Sequence, residues 1–282
     1  MNDKTAFIRA LRPFSLVVAI ATCGLGVSLA LIEGSDQYPL ALLVISTGLL
    51  LQVAVNLIND YRDIESHRFS PGQQAAIKRN TRIGWGLMCI AIAAGIYMVS
   101  IRGWTLFALG LVGVVGAWGY TGGEINFKSR GLGVVLVFFL MGVLLIGGSY
   151  YTVSGNYHAD IFLLSLPFSL LSSLLLLSNE LRDYEEDLAA GIKTLSVRLG
   201  YDLGVRLFYW IVALVYFISA LLFQAGILNH FTLIALTLLV LWQPLKLLHA
   251  PKPQRSLLTR STGRFYLFFS LCFLASLWLT HQ

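Results

Sequence analysis

The chain has 282 residues, of which 57% are apolar and only 12% are charged, and its net charge is +6. A soluble domain would carry about 25% charged residues, and a transmembrane barrel would show alternating strands of about ten residues. Neither pattern is present in the sequence, so the composition predicts an all-α membrane protein. Membrane topology explains the basic excess better than nucleic-acid binding does.

Apolar runs follow one another along the whole chain, and each is long enough to cross a bilayer as a helix. We expect the first run to be retained rather than cleaved as a signal peptide, because it is long and no small-residue cleavage site follows it. The nine predicted transmembrane helices are 14–32, 39–58, 83–101, 104–120, 132–152, 161–178, 204–225, 231–248 and 264–280.

The basic residues predict the orientation of these spans. With the N-terminus in the cytoplasm and the C-terminus outside, all but one of the 20 lysines and arginines fall on the cytoplasmic side. The exception is Arg102. Such an asymmetry is typical of cytoplasmic loops, so it supports nine spans and a multi-pass protein of the inner or plasma membrane.

The second predicted span ends in an acidic cluster. Asn56, Asp60 and Asp63 are spaced i, i+4, i+7, so a helix would carry them on one stripe, with Asn59 beside them. Ionisable groups at the depth of a membrane helix are costly and usually mark a functional site.

The sixth predicted span ends in a second cluster on the same predicted side. Asn179, Asp183 and Asp187 are spaced i, i+4, i+8 and again share one stripe of a helix. Arg182 is adjacent to Asp183, but we expect no ion pair between them, because neighbours along a helix do not face each other. Lys193 and Arg198 follow, and with Arg182 they are candidate ligands for phosphate oxygens.

Two clusters of amide and carboxylate oxygens facing one cavity suit Mg²⁺, which commonly bridges substrate phosphates. The candidate metal ligands are Asp60, Asp63, Asp183 and Asp187. Together with Asn59 they form the predicted catalytic set, and Asn56 and Asn179 are predicted to bind substrate.

Several stretches, taken in order, resemble one known family. They are Arg12-Pro13; Asn56-Leu-x-Asn59-Asp60-Tyr-x-Asp63; Tyr120-Thr-Gly-Gly123, Gly131-Leu-Gly133 and Val137-Phe-Phe139; and Asn179-x-Leu-Arg182-Asp183-x-x-x-Asp187 with Gly191, Thr194-Leu195 and Val197-Arg-Leu-Gly200. The family is the UbiA superfamily of intramembrane prenyltransferases. The nearest likeness is to the branch that prenylates 1,4-dihydroxy-2-naphthoate in menaquinone synthesis. The last stretch is the most specific.

The resemblance implies one domain over residues 1–282, with nine helices around a central apolar cavity. It implies an isoprenyl diphosphate held through Mg²⁺ between the two acidic motifs, and an aromatic ring that attacks the allylic cation with loss of carbon dioxide. It also places Tyr120 near the leaving group, as a substrate-binding residue. A tyrosine at the membrane boundary is an equally good explanation of Tyr120.

The chain departs from the family after Asp63. His67 and Phe69 stand where its members have a third aspartate, and the sequence then passes almost directly into Ser70-Pro71-Gly72-Gln73, which predicts the start of the next helix. The active-site loop is therefore predicted to be shortened. Glu65 or His67 are candidate replacements for the missing ligand, and Arg68, Lys78 and Arg79 for the missing basic contacts.

The middle signature also departs from the family, with Glu124 and Asn126 in place of prolines. These differences leave three alternatives to naphthoate prenylation. The first is prenyl transfer to another acceptor or terpene cyclisation without one. The second is a non-catalytic lipid-binding homologue. The third is a transporter, which is disfavoured because no matching pair of broken helices and no inverted repeat is visible in the sequence.

Overall fold

The computed structural model describes residues 7–62, 64, 70–121 and 126–280, and within these ranges every regular element is helical. The helices are α1 Phe7–Ala10, α2 Pro13–Ile32, α3 Tyr38–Asn59, α4 Pro71–Arg102, α5 Trp104–Thr121, α6 Gly133–Ser154, α7 Asp160–Arg182, α8 Tyr184–Ala189, α9 Leu195–Leu199, α10 Tyr201–Gln224, α11 Phe231–Leu248, α12 Lys252–Arg255 and α13 Leu258–Thr280. Short 3₁₀ turns at Asp60–Arg62 and Lys128–Arg130 follow α3 and precede α6.

Eight helices of the described residues are long and apolar enough to cross a membrane: α2, α3, α4, α6, α7, α10, α11, and α13 together with α12. A further apolar helix, Trp104–Tyr120, coincides with the predicted fourth span but is shorter. The all-α membrane fold is thus confirmed. The count of nine, the central cavity and the orientation of the termini stay predictions.

The helices form a closed ring in chain order. Each of the long helices packs on the next, and α13 packs back against α2, while α2 also contacts α6 across the ring. The most buried helix is α7, along which nearly every side chain from Leu164 to Leu181 is inside. Its neighbours on either side are α6, α10 and α13.

Close helix approach relies on small residues, as is usual in membranes. The middle of α6, Phe138–Leu144, is a π-helix, and Gly142 within it lies against α7. A Cβ at Gly142 would lie only 2.5 Å from Cα of Ser169, so the two backbones meet at a distance that only glycine allows.

The predicted helix start at Ser70 is confirmed. The Ser70 hydroxyl accepts from the backbone N–H of Gln73, the Gln73 side chain accepts from the backbone N–H of Ser70, and Pro71 is the first helical residue. This capping box satisfies two amides that would otherwise lack partners. It places the start of α4 only nine positions after Arg62, the last residue of the 3₁₀ turn that follows α3.

Candidate active site

A chain of contacts places both acidic clusters at the same end of the helix ring. Arg12, just before α2, bonds to Asp60 after α3. The neighbouring Phe14 lies against Gly263 of α13, where an added Cβ would be 3.3 Å away. Thr259, one turn earlier on α13, accepts a hydrogen bond from Arg182 at the end of α7, at 3.2 Å.

In the first cluster, Asp60 is nearly fully buried, with 2% of its side chain exposed. The Arg12 guanidinium donates to its Oδ1 at 2.5 Å, which offsets the cost of burying the carboxylate charge. Arg12 itself has φ +48° and ψ +67°, in the left-handed region that a non-glycine residue rarely adopts. The backbone therefore stores strain where the arginine reaches the aspartate, which is common at functional sites.

Asn56 is also buried, but its amide is engaged by the protein. Its Nδ2 donates to the carbonyl of Leu11 and to the hydroxyl of Ser15, both at 2.8 Å, and its Oδ1 accepts from Gln52. It therefore fixes the segment that carries Arg12. Asn59 is exposed on the last turn of α3.

Other residues of this region lie outside the described residues. These are Asp63, Glu65, His67, Arg68 and Phe69, with Glu124 of the middle signature.

In the second cluster, the expectation about Arg182 and Asp183 is wrong. The Arg182 Nε and Nη2 donate to the two carboxylate oxygens of Asp183 at 2.7 and 2.6 Å. The helix ends at Arg182, and Asp183, with φ −94° and ψ +9°, lies outside it. The rule for neighbours within a helix does not apply across its end.

Asp187 faces Asp183 across one turn, since its backbone N–H donates to the Asp183 carbonyl at 2.8 Å. Burial raises the pKa of the Asp187 carboxyl; the nearby positive charge of Lys128 opposes this rise and the carboxylate of Asp183 adds to it. Asn179, one turn before Asp183, has a buried Oδ1 with no hydrogen-bond partner among the described residues.

The sequence did not indicate Glu180 or Lys128 as site residues. Glu180 is 3% exposed, and its Oε2 accepts from the backbone N–H of Ser196 at the start of α9. Its Oε1 has no hydrogen-bond partner among the described residues, and it lies beside Gly133 and the ring of Tyr120. Lys128 is close enough to act electrostatically on both Glu180 and Asp187. One signal for Glu180 was visible, since it is an acid at the end of an apolar run, between Asn179 and Asp183 of the second cluster.

Tyr120 is therefore within the second cluster, close to Glu180 and to Asp187. Two of the predicted phosphate ligands, Lys193 and Arg198, are exposed. Arg198 donates to the carbonyls of Lys193 and Ser129, so it braces two loops.

Oxygen donors dominate both clusters, which is the donor set that Mg²⁺ prefers. Among the described residues no three His, Cys, Asp or Glu side chains are close enough to hold a metal ion by themselves. The unpartnered Oδ1 of Asn179 and the carboxylates of Asp183 and Asp187 fit a partial ligand set that a diphosphate would complete.

The chain is similar in sequence and in fold to several known proteins. A 1,4-dihydroxy-2-naphthoate octaprenyltransferase of Haemophilus influenzae is 32% identical over 251 residues, which cover 81% of either chain. One of the same name from Mycobacterium leprae is 29% identical over 94% of this chain and 88% of its own. The fold is similar to that of a UbiA homolog from Archaeoglobus fulgidus bound to DMAPP and Mg²⁺, with a TM-score of 0.65 and 16% identity over 97% of this chain and 99% of the homolog.

The sequence profile of the UbiA prenyltransferase family matches residues 17–272. The match covers nearly the whole helix ring, including the ends of α3 and α7 and the turns that follow them. The chain therefore belongs to the UbiA prenyltransferase family and is an enzyme that transfers prenyl groups.

Proposed function

We propose that this chain transfers a polyprenyl group from an isoprenyl diphosphate to 1,4-dihydroxy-2-naphthoate or a related aromatic acceptor, with decarboxylation. The reaction depends on Mg²⁺ and serves the synthesis of menaquinone or a related prenyl lipid. The observation that carries this proposal is that Asp60 and Asp183 come to the same end of the ring, each bonded to an arginine. The acceptor is inferred from the names of the relatives.

The proposal includes the architecture that the charges predict. One domain spans residues 1–282 and crosses the inner or plasma membrane nine times, with Trp104–Tyr120 as the fourth span in addition to the eight longer ones. The N-terminus and the active site face the cytoplasm, and the C-terminus lies outside. The distribution of Lys and Arg supports this orientation.

The residues that would hold Mg²⁺ are Asp60, Asp63, Asp183 and Asp187, with the amide oxygens of Asn59 and Asn179 near them. When bound, the ion neutralises charge that develops on the leaving diphosphate. Arg12 and Arg182 already lie on carboxylates at this end, so they are placed to donate to phosphate oxygens as well. Lys128 and Lys193 add positive charge around the second cluster.

The apolar helices keep water away from the allylic cation. Water would otherwise react with the cation before the acceptor does. Tyr120 presents an aromatic ring beside the second cluster, and a ring face stabilises a nearby cation. Asn56 acts indirectly in this scheme, because it holds the segment that carries Arg12.

The test compares Asp183→Asn with a matched control, Glu186→Gln, which lies on the short helix that follows Asp183 and is 70% exposed. The full chain in nanodiscs receives Mg²⁺, a polyprenyl diphosphate and dihydroxynaphthoate. Diphosphate release and the prenylated, decarboxylated product are followed by a coupled assay and by mass spectrometry. We expect Asp183→Asn to lower turnover by about 10²–10³-fold, the usual cost of losing one charge-stabilising group.

Stability separates a functional loss from an unfolded protein. Asp183 and Arg182 are partly exposed, so losing their ion pair costs about 1 kcal/mol or less. Glu186→Gln should retain both stability and turnover. Unchanged turnover in Asp183→Asn would show that this residue is not part of the site. Diphosphate release in the absence of an aromatic acceptor would indicate cyclisation. No diphosphate release from the wild type would refute the transferase.

A further inference from the structure

The helix that carries the end of the second acidic cluster is not held by burial. Helix α8 has six residues, Tyr184–Ala189, all of them described, and none is buried. It follows a break at Asp183, so it does not inherit a fixed direction from α7. A segment of this length is marginal as an isolated helix, and its position must come from specific contacts.

One such contact comes from a distant part of the chain. The Arg255 guanidinium, at the end of α12, donates through Nη2 to both carboxylate oxygens of Glu185. Arg255 is 7% exposed although Glu185 is 43% exposed, so the arginine is the fixed member of the pair.

Aromatic rings fix Arg255 in turn. Its guanidinium lies over the ring of Tyr201 at 4.7 Å from the centroid, and the Tyr201 hydroxyl donates to the carbonyl of Leu248 at 2.6 Å. The edge of the Tyr201 ring also meets Tyr184, with the ring centroids 5.5 Å apart. The end of α11, the end of α12, the start of α10 and the start of α8 are thereby joined in one cluster.

Helical geometry connects the Arg255–Glu185 bond to the candidate active site. Asp183 and Asp187 are one turn apart and share a face, as the bond from the Asp187 N–H to the Asp183 carbonyl requires. Glu185 is two residues from each, so it lies about 200° around the helix, on the opposite face. Arg255 thus holds the back of a short helix whose front carries two predicted metal ligands.

We propose that Arg255 is a positioning residue for the metal–diphosphate site, acting through Glu185 on the placement of Asp183 and Asp187. This inference rests on the proposed function. Arg255 touches neither ligand, so its effect is on how well the site binds the metal and the diphosphate rather than on the chemistry. Outer partners that orient metal ligands typically change metal affinity by about 10–100-fold when they are removed.

The chain provides a matched control on the same two helices. Lys252 of α12 pairs with Glu186 of α8 at 3.3 Å, but these side chains are 52% and 70% exposed. An exposed lysine pair of this kind contributes little to geometry or stability. Lys252→Gln therefore removes an equal charge from the same interface without removing the bond to Glu185.

The experiment measures Mn²⁺ binding to the full chain in nanodiscs by electron paramagnetic resonance, with farnesyl S-thiolodiphosphate as an unreactive substrate analogue. We expect Arg255→Gln to weaken Mn²⁺ binding about 10-fold, Arg255→Lys to restore part of it, and Lys252→Gln to leave it unchanged. In turnover assays, the Mg²⁺ concentration for half-maximal rate should rise in Arg255→Gln, while kcat at saturating Mg²⁺ changes by less than about threefold.

A second variant guards against loss of folding. Glu185→Gln removes the same tie from its more exposed side, and we expect it to weaken Mn²⁺ binding as Arg255→Gln does, with no further loss in the double variant. Wild-type Mn²⁺ affinity in both single variants would overturn the inference, as would equal losses in Lys252→Gln. If the wild type binds Mn²⁺ with the analogue but makes no prenylated product, the proposed function fails, and the Mn²⁺ affinities of the Arg255 and Glu185 variants alone decide the positioning role.

Discussion

The close approach of α2 and α6 gives a quantitative test of the fold. A Cβ at Gly26 would lie 2.4 Å from the carbonyl oxygen of Ile146, 2.8 Å from Cβ of Ser149 and 2.9 Å from the backbone N of Tyr150. These are backbone or Cβ atoms, so they cannot move aside by a change of rotamer. Gly26→Ala must therefore separate the two helices.

Gly24, two residues earlier on the same helix, is the matched control. A Cβ there meets no described atom within 4 Å outside its own backbone surroundings. Gly24→Ala should be neutral or stabilising by up to about 1 kcal/mol, the helix propensity difference between the two residues. Gly26→Ala should lower the free energy of unfolding by about 1–3 kcal/mol, as overpacking usually does. The two variants should then differ by roughly 1–4 kcal/mol.

The assay is reversible unfolding of the full chain in mixed micelles, with the denaturing detergent fraction as the variable. Both variants are compared with the wild type under one lipid composition, so that bilayer effects cancel. If the two alanine variants agree within about 0.5 kcal/mol, the close contact between α2 and α6 is refuted.

Two further predictions concern opposite ends of the ring. Arg102 donates to the carbonyls of Thr152 and Val153 at 2.7 and 2.8 Å, so Arg102→Ala should cost about 2 kcal/mol in the same unfolding assay while turnover per folded molecule is unchanged. Impaired turnover would show that this end communicates with the site. Glu180→Ala leaves the buried N–H of Ser196 without its acceptor and should cost about 1–3 kcal/mol, whereas Glu180→Gln keeps an acceptor oxygen and should cost less. Equal losses of stability in the two variants would refute the role of Glu180 as the acceptor for the Ser196 N–H.

Local signals in the sequence predicted the elements well. The helix start at Ser70 depends on Ser70, Pro71 and Gln73, all within four positions, and the structure confirms it. Long apolar runs likewise located the eight long helices, since a membrane span needs only length and composition to be recognised. Such features need no knowledge of distant partners.

The site was predicted only in part, because its partners come from elsewhere in the chain. Arg255 is 70 positions from Glu185 and Arg12 is 48 from Asp60, and no spacing rule links such pairs. The Arg182–Asp183 pair is local, yet it was mispredicted because the end of α7 could not be located to within one residue from the pattern. The role of Asp63 stays a prediction, since this residue lies outside the described residues.

The two acidic clusters differ in how an arginine reaches their first aspartate. Asp183 is 36% exposed and its arginine is the preceding residue, so this pair needs no contact with a distant part of the chain. Asp60 is 2% exposed, so solvent contributes little there, and its arginine, Arg12, comes from 48 positions away in the chain. Arg12 itself has a strained backbone conformation, and Asn56 holds its segment in place. The first cluster therefore depends on tertiary contacts with the N-terminal segment, whereas the second is built from the end of one helix. This is why the sequence signature of the second cluster is the more complete of the two.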